Sequence, residues 1–140
     1  MNDRALRTAV GILAAAGAAI AGYLTYARYA HTTIACTTGG CEIVQRSNYA
    51  ELAGIPVALL GLMAYVFLLG TAFSSAELAR AAGAAVAVAG AAFSAYLVYV
   101  QIAVIDAICQ WCVASDVVMA LLASACVARV VVPRPRPRNL

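Results

Sequence analysis

The chain has 140 residues, of which 65% are hydrophobic and only 11% are charged. Soluble globular domains contain roughly 45–50% apolar and about 25% charged residues, so this composition excludes an ordinary water-soluble domain. The net charge of +3 comes from nine arginines and no lysine against six acidic residues. Most of these arginines stand at the ends of apolar segments, which is typical of membrane orientation rather than of nucleic-acid binding.

Four apolar segments predict four membrane-spanning helices. They cover residues 8–27, 52–76, 81–105 and 107–128. A helix crosses the hydrocarbon core with about 20 residues, so each segment is long enough. None alternates with period two, and a transmembrane barrel is therefore not expected. We predict an all-α integral membrane protein over residues 1–132: a four-transmembrane-helix bundle with an outward-facing loop and a short interfacial helix.

The first segment has a second interpretation, as a signal peptide, because it follows Arg4 and Arg7. Its apolar stretch exceeds the roughly 7–15 residues of such a peptide. It also runs into Tyr23, Tyr26 and Tyr29, and tyrosines are enriched at membrane interfaces. These features favour an anchored helix.

Arginine placement predicts the orientation. If all four segments span, only Arg28 and Arg46 fall on one side, and the other seven arginines fall on the opposite side. The positive-inside rule then puts both termini and the loop 74–80 in the cytoplasm, and the loop 31–54 outside. The basic, proline-rich tail 133–140 is predicted to be an extended cytoplasmic lipid-surface anchor.

Small residues predict where helices approach closely, although alanine-rich helices also produce such stripes by chance. The stripes are Gly11, Ala15 and Ala18 on the first helix, and Gly83, Ala87, Gly90 and Ser94 on the third.

Four of the five cysteines fall at the outward face in two pairs. Cys36 and Cys41 enclose two glycines, which let the chain turn back to the Cα separation of about 4.4–6.8 Å that a disulfide needs. Cys109 and Cys112 open the fourth helix with i, i+3 spacing, so they share one face, and the helix N-terminus lowers the pKa of the first thiol. Because the thiolate attacks disulfides, this spacing favours redox chemistry.

Three interpretations of these cysteines remain. A redox relay between the pairs is the one we favour. Two structural disulfides in a non-enzymatic membrane scaffold are the main alternative. A CxxC disulfide across one helical turn would be strained and readily reduced, however, which makes it a poor structural link. A four-cysteine zinc site is the third, and an oxidising membrane face disfavours it. Cys126 lies about 21 Å beyond Cys112 along the same helix and is predicted to be a small buried apolar residue.

The order of these motifs resembles the vitamin K epoxide reductase family, and most of all its bacterial homologues. The features that carry the resemblance are the loop pair, Ser47 after Cys41, the motif GIPVALLG at residues 54–61, and CQWC at residues 109–112. They cover roughly residues 6–130. The DsbB family has the reverse order, with CxxC near the first outer loop.

The resemblance implies a quinone-dependent disulfide oxidoreductase of the bacterial inner (plasma) membrane. Cys36 would meet the thiol of a separate DsbA-like thioredoxin-fold partner, and Cys41 would pass electrons to Cys109. Cys112 would face a quinone, either menaquinone or ubiquinone, held inside the bundle. This activity would support disulfide formation in exported proteins. The resemblance does not distinguish a quinone from its epoxide as the substrate.

Four further residues are candidates for the quinone site. Ser47 and Pro56 belong to the motifs of the resemblance. Asp116 lies one turn deeper than Cys112 on the same face, and a membrane aspartate is usually bundle-facing or functional. It either orders the pocket and relays a proton, or makes a structural hydrogen bond to a neighbouring helix. Trp111 is either an interface anchor or a ring-stacking group.

Overall fold

The computed structural model describes residues 2–37 and 39–132. The predicted tail 133–140 lies outside the described residues. The elements in chain order are α1 (Asp3–Ala30), α2 (Cys41–Gln45), β1 (Glu51–Leu52), β2 (Ile55–Pro56), α3 (Val57–Ala72), α4 (Glu77–Tyr99) and α5 (Gln110–Val131). A 3-10 turn at Asn48–Ala50 precedes β1, and a π-helical turn at Val100–Ile105 extends α4.

The described part of the chain has three helices long and apolar enough to cross a membrane. These are α1, α4 with its π-helical extension, and α5. The fourth apolar helix, α3, has only 16 residues, or about 24 Å at the usual helical rise, against a hydrocarbon core of roughly 30 Å. The chain is therefore an all-α, multi-pass membrane protein.

The predicted second segment, 52–76, is longer than the helix that forms. Its first residues pair as the antiparallel β1–β2 hairpin, with Glu51 opposite Pro56. The connecting residues Ala53 and Gly54 both have positive φ, 54° and 83°, a conformation that does not continue a helix. The helix thus begins at Val57, directly after the proline. Proline lacks a backbone N–H, so a position before the first helical turn suits it.

The four long helices pack as an antiparallel ring. Helix α1 contacts α3 and α5, and α4 contacts α3 and α5. On α4, Gly83 and Ala87 are buried as predicted. The predicted stripe on α1 is confirmed only in part: Gly11 lies beside Ala72 and Ala18 packs against the core, but Ala15 is exposed. The buried face contains Ala14 and Gly17 instead. The rest of the buried face of α1 is Leu6, Val10, Ala21, Leu24, Thr25 and Ala27.

The two ends of the bundle differ in chemistry. Arg7 and Arg129 both donate to main-chain carbonyls at the end of α3, and Arg80 lies 4.0 Å from Asp3. The prediction that these arginines share one end is confirmed. The opposite end carries α2, the hairpin, the Cys36–Cys41 disulfide and the unjoined Cys109 and Cys112. His31 ends α1 there and is exposed.

Candidate functional site

The first cysteine pair is joined, and it packs against the start of the second pair. Cys36 and Cys41 form a disulfide with Cα atoms 6.1 Å apart, as their spacing predicted. Gly40, just before α2, packs directly on the backbone of Ile108, so a Cβ at Gly40 would overlap the Ile108 carbonyl oxygen. This close approach brings Cys41 next to the residues that lead into Cys109.

Cys109 and Cys112 open α5 as predicted and are not joined to each other. Cys109 is the N-cap residue, and its Sγ accepts a hydrogen bond from the backbone N–H of Cys112 at 3.3 Å. Its own N–H donates to Oε1 of the buried Gln101 at 2.8 Å. The pKa of Cys109 is lowered to about 7, chiefly by a hydrogen bond from the Cys112 side chain, while burial opposes this shift. The direction agrees with the prediction, but the largest cause is the neighbouring thiol and not the helix N-terminus.

The structure brings the two pairs together. Cys41 and Cys109 are both fully buried in one apolar cluster, and Cys36 and Cys112 pack against it. Cys126 lies elsewhere, buried in the core of the bundle, which agrees with its predicted role. Four cysteines thus form one site, and the fifth does not belong to it.

The two residues between Cys109 and Cys112 hold the loop that carries Cys36. The Trp111 Nε1–H donates to the carbonyl oxygen of Ala35 at 2.5 Å, and its ring meets Tyr23 edge-on at 5.3 Å. The Gln110 Oε1 accepts hydrogen bonds from the backbone N–H and the hydroxyl of Thr37, at 3.0 and 2.5 Å. Trp111 therefore helps to fix the outer loop, a contact that the sequence did not predict.

A cavity of about 240 Å³ opens beside Cys112. Its walls come from α1, α3, α4 and α5, and α2 with the turn after it covers one side. Of the five cysteines, all of which the structure describes, only Cys112 lines it. The polar lining residues are Gln45, Ser47, Tyr49, Tyr65, Ser94, Gln101, Ser115 and Asp116. The remaining lining is apolar, as is usual for small-molecule sites.

Two of the four predicted cofactor residues line this cavity. Ser47 does so from the turn after α2, where its hydroxyl donates to the Val44 carbonyl at 2.7 Å. Asp116 does so from α5; its side chain interacts with Ser94, and its buried Oδ2 has no hydrogen-bond partner among the described residues. Pro56 is buried at the start of α3 and, like Trp111, is not part of the lining.

Sequence reasoning missed two glutamines at the site. The Gln45 Nε2–H donates to Sγ of Cys112 at 3.0 Å, and Gln101 receives the Cys109 amide. The sequence contained a clue to each of these glutamines. Gln45 stands one helical turn after Cys41, and Gln101 is a polar residue in an otherwise apolar segment, where an unpaired amide is costly.

Comparison with known families agrees with this geometry. A sequence model described as "Vitamin K epoxide reductase family" matches residues 8–127. The match includes all four cysteines of the site, the turn with Ser47 and the cavity-lining part of α5.

Proposed function

The chain belongs to the vitamin K epoxide reductase family, which makes it a membrane disulfide oxidoreductase, and we propose that it passes electrons from a thiol donor to a membrane quinone. The observation that carries this proposal is the position of Cys112. It is the one cysteine in the cavity lining, while the other three of the site lie beside it towards the outer loop.

Electrons enter at the loop pair. A thiolate of the donor attacks Cys36, which is only half-buried, and Cys41 leaves as a thiolate. The donor's second thiol then resolves the mixed disulfide, so the donor leaves oxidised and both loop cysteines are reduced. A DsbA-like thioredoxin-fold protein is the proposed donor, since such proteins must be reoxidised to form disulfides in exported proteins.

Transfer to the second pair uses two exchange steps. The Cys41 thiolate attacks the sulfur of Cys109 in a Cys109–Cys112 disulfide, and Cys112 leaves as a thiolate. Cys36 then attacks Cys41, and Cys109 leaves. A leaving thiol with a low pKa departs faster, and the pKa of about 7 at Cys109 suits this step. The result is the oxidised loop pair and reduced CxxC pair described above.

The cavity suits the ring of a quinone. A cavity of about 150 Å³ accepts a benzene ring, so about 240 Å³ accommodates a one- or two-ring head group. Either menaquinone or ubiquinone fits this description. A quinone held there would take two electrons from Cys109 and Cys112 as their disulfide re-forms, and two protons, equal in number to those released when the donor dithiol is oxidised. Asp116 is the proposed proton source, because its carboxyl lies in the same cavity one turn from Cys112.

The proposed setting is the bacterial inner membrane. The arginine end, with both termini, faces the cytoplasm, and the cysteine end faces outward, as the positive-inside rule predicts. In this arrangement α3 is the fourth span.

A quinone-oxidation experiment tests the proposal. Detergent-solubilised protein with its four site cysteines reduced should be reoxidised by added menaquinone or ubiquinone. Cys112→Ala should stop quinone reduction, and Cys126→Ala is the matched control that should react normally. If the intact protein fails to react with either quinone, the non-enzymatic scaffold with structural disulfides becomes the better explanation.

A further inference from the structure

Gln45 contacts the cysteine that lines the cavity. We propose that Gln45 is a positioning residue that stabilises the sulfur of Cys112 as a thiolate facing the cavity, and thereby links helix α2 to the redox state of the CxxC pair. This inference rests on the proposed function for the direction of electron flow. The hydrogen bond between Gln45 and Cys112 is present in the structure whatever the direction of electron flow.

Helix α2 presents two groups to the start of α5. It begins at Cys41 and ends at Gln45, and residues four apart share one helix face. Cys41 packs in one cluster with Cys109, while the Gln45 amide reaches Cys112. The sulfur that attacks and the amide that donates therefore come from the same short helix, one turn apart.

The backbone of Gln45 is held from the other side. Arg28 of α1 donates from Nη1 to the Gln45 carbonyl oxygen at 2.6 Å, and the same guanidinium forms an ion pair with Glu51 of β1. A five-residue helix is too short to be stable by itself. These contacts fix the end of α2, so the direction of the Gln45 side chain does not depend on the helix alone.

The chemical reason for a donor at this point is the charge that forms on Cys112. When the Cys41 thiolate attacks Cys109, the Cys41–Cys109 bond forms and the Cys109–Cys112 bond breaks. The electron pair leaves on Cys112, so one thiolate is consumed, one is produced, and no proton moves. Hydrogen bonds to charged groups are roughly twice as strong as neutral ones. The Gln45 contact thus strengthens as Cys112 becomes anionic and weakens when Cys112 is in a disulfide.

The surroundings of Cys112 contain other titratable groups, and a test must leave them unchanged. These are Cys109 and Asp116 on α5, Tyr65 on α3 and Tyr49 before β1, with Arg28 and Glu51 behind Gln45. Gln45→Met keeps the length of the side chain, removes the N–H donor and alters none of these groups. Gln45→Glu keeps the shape and adds a negative charge.

The first measurement is a thiol titration that needs no quinone. In a Cys109→Ala/Cys126→Ala background with the loop disulfide intact, Cys112 is the one remaining thiol. Its thiolate absorbance is followed against pH and corrected with a matched Cys112→Ala protein. Gln45→Met should move the onset of the thiolate to higher pH, and Gln45→Glu should move it further. Ile43→Met, an exposed position on the same helix, should leave it in place.

The second measurement is turnover with quinone in the otherwise wild-type chain. Gln45→Met should lower kcat about 10-fold or more, the scale of one lost hydrogen bond to a charged group, with KM for quinone within about 2-fold. An unchanged titration in both Gln45 variants, or an unchanged kcat, overturns the proposal. If the wild-type chain does not reduce quinone, the proposed function fails, and the titration still decides whether Gln45 stabilises the Cys112 thiolate.

Discussion

Arg7 and Arg129 reach the end of α3 from two different helices and together donate to four successive carbonyl oxygens. Arg7 bonds to Ala72 at 3.0 Å and Phe73 at 3.4 Å. Arg129 bonds to the carbonyls on either side, Thr71 and Ser74, both at 3.2 Å. The last carbonyl oxygens of a helix accept no hydrogen bond from within the helix. In a membrane bundle, water does not readily take the place of the missing donor. The arginines therefore add side-chain donors to a helix end that the backbone N–H groups of Phe73 and Ser74 cap only in part.

Replacing Arg129 by methionine should destabilise the bundle by about 2 kcal/mol, because its two charged hydrogen bonds to the Thr71 and Ser74 carbonyls are lost. Arg129 is only 2% exposed, so water cannot easily take its place. Thermal unfolding in detergent measures the effect as a lower Tm. The control is Arg4→Met at the same end, an exposed side chain whose loss should stay within about 0.5 kcal/mol. Equal Tm values for the two variants would contradict the capping role.

Gly40→Ala should separate the two cysteine pairs. A Cβ at this position overlaps the backbone of Ile108, so α2 must shift away from the start of α5. Misplacement of reacting groups by about 1 Å can cost about 100-fold in rate, and we expect a loss of that order in exchange between Cys41 and Cys109. Differential alkylation followed by mass spectrometry reports which pair is reduced over time. Gly70→Ala, where a Cβ meets nothing within 4 Å, should exchange at the wild-type rate.

Asp116→Asn should slow quinone turnover and spare disulfide exchange between the pairs. The asparagine keeps the shape of the side chain but cannot deliver a carboxyl proton, and general acid–base groups contribute typically about 10²–10⁴-fold. Steady-state quinone reduction and quinone-free exchange are measured on the same preparation. Asp106→Asn is a suitable control, since Asp106 is exposed and asparagine tolerates its left-handed backbone. Unchanged quinone kinetics would leave Asp116 with only its contact to Ser94.

Exchange between the two pairs can also be measured in reverse, with the Cys109 thiolate attacking the Cys36–Cys41 disulfide. The rate of this reverse attack should rise with pH and level off above about pH 7. The pKa of Cys109 is lowered to about 7, so its reactive thiolate is the minor form below that pH and the major form above it. Quinone-free exchange measured from acidic to alkaline pH gives the inflection. Because the first cause of the lowering is the hydrogen bond from Cys112, Cys112→Ala should move the inflection to higher pH. An inflection that stays near the ordinary thiol value of about 8.5 in the unmodified chain would refute this assignment.

Features that depend on local spacing were predictable from the sequence. The loop disulfide follows from five-residue spacing with two glycines, and the position of Cys109 at the start of α5 follows from CxxC before an apolar run. Cys112 and Asp116 share a wall of one cavity because they are one turn apart. Each of these inferences needs only the geometry of a single element.

Features that depend on neighbouring elements were not predictable in the same way. The buried face of α1 includes Gly17 because the ring of Tyr65 lies directly against it. The Tyr65 hydroxyl in turn donates to the Ser115 carbonyl at 2.7 Å. The late start of α3 depends on a hairpin that hydropathy does not reveal. The contact between Gln45 and Cys112 joins residues far apart in the sequence, so no periodic pattern points to it.

The joined loop pair and the separate Cys109 and Cys112 thiols have a consequence for stoichiometry. A chain with one disulfide and one dithiol is half-reduced, and its two available electrons are on the cavity side. Under the proposed mechanism, such a chain reduces one quinone without any donor and then stops, with both pairs oxidised. A purified sample in this form would therefore show a burst of one hydroquinone per polypeptide, and the size of that burst counts the active molecules.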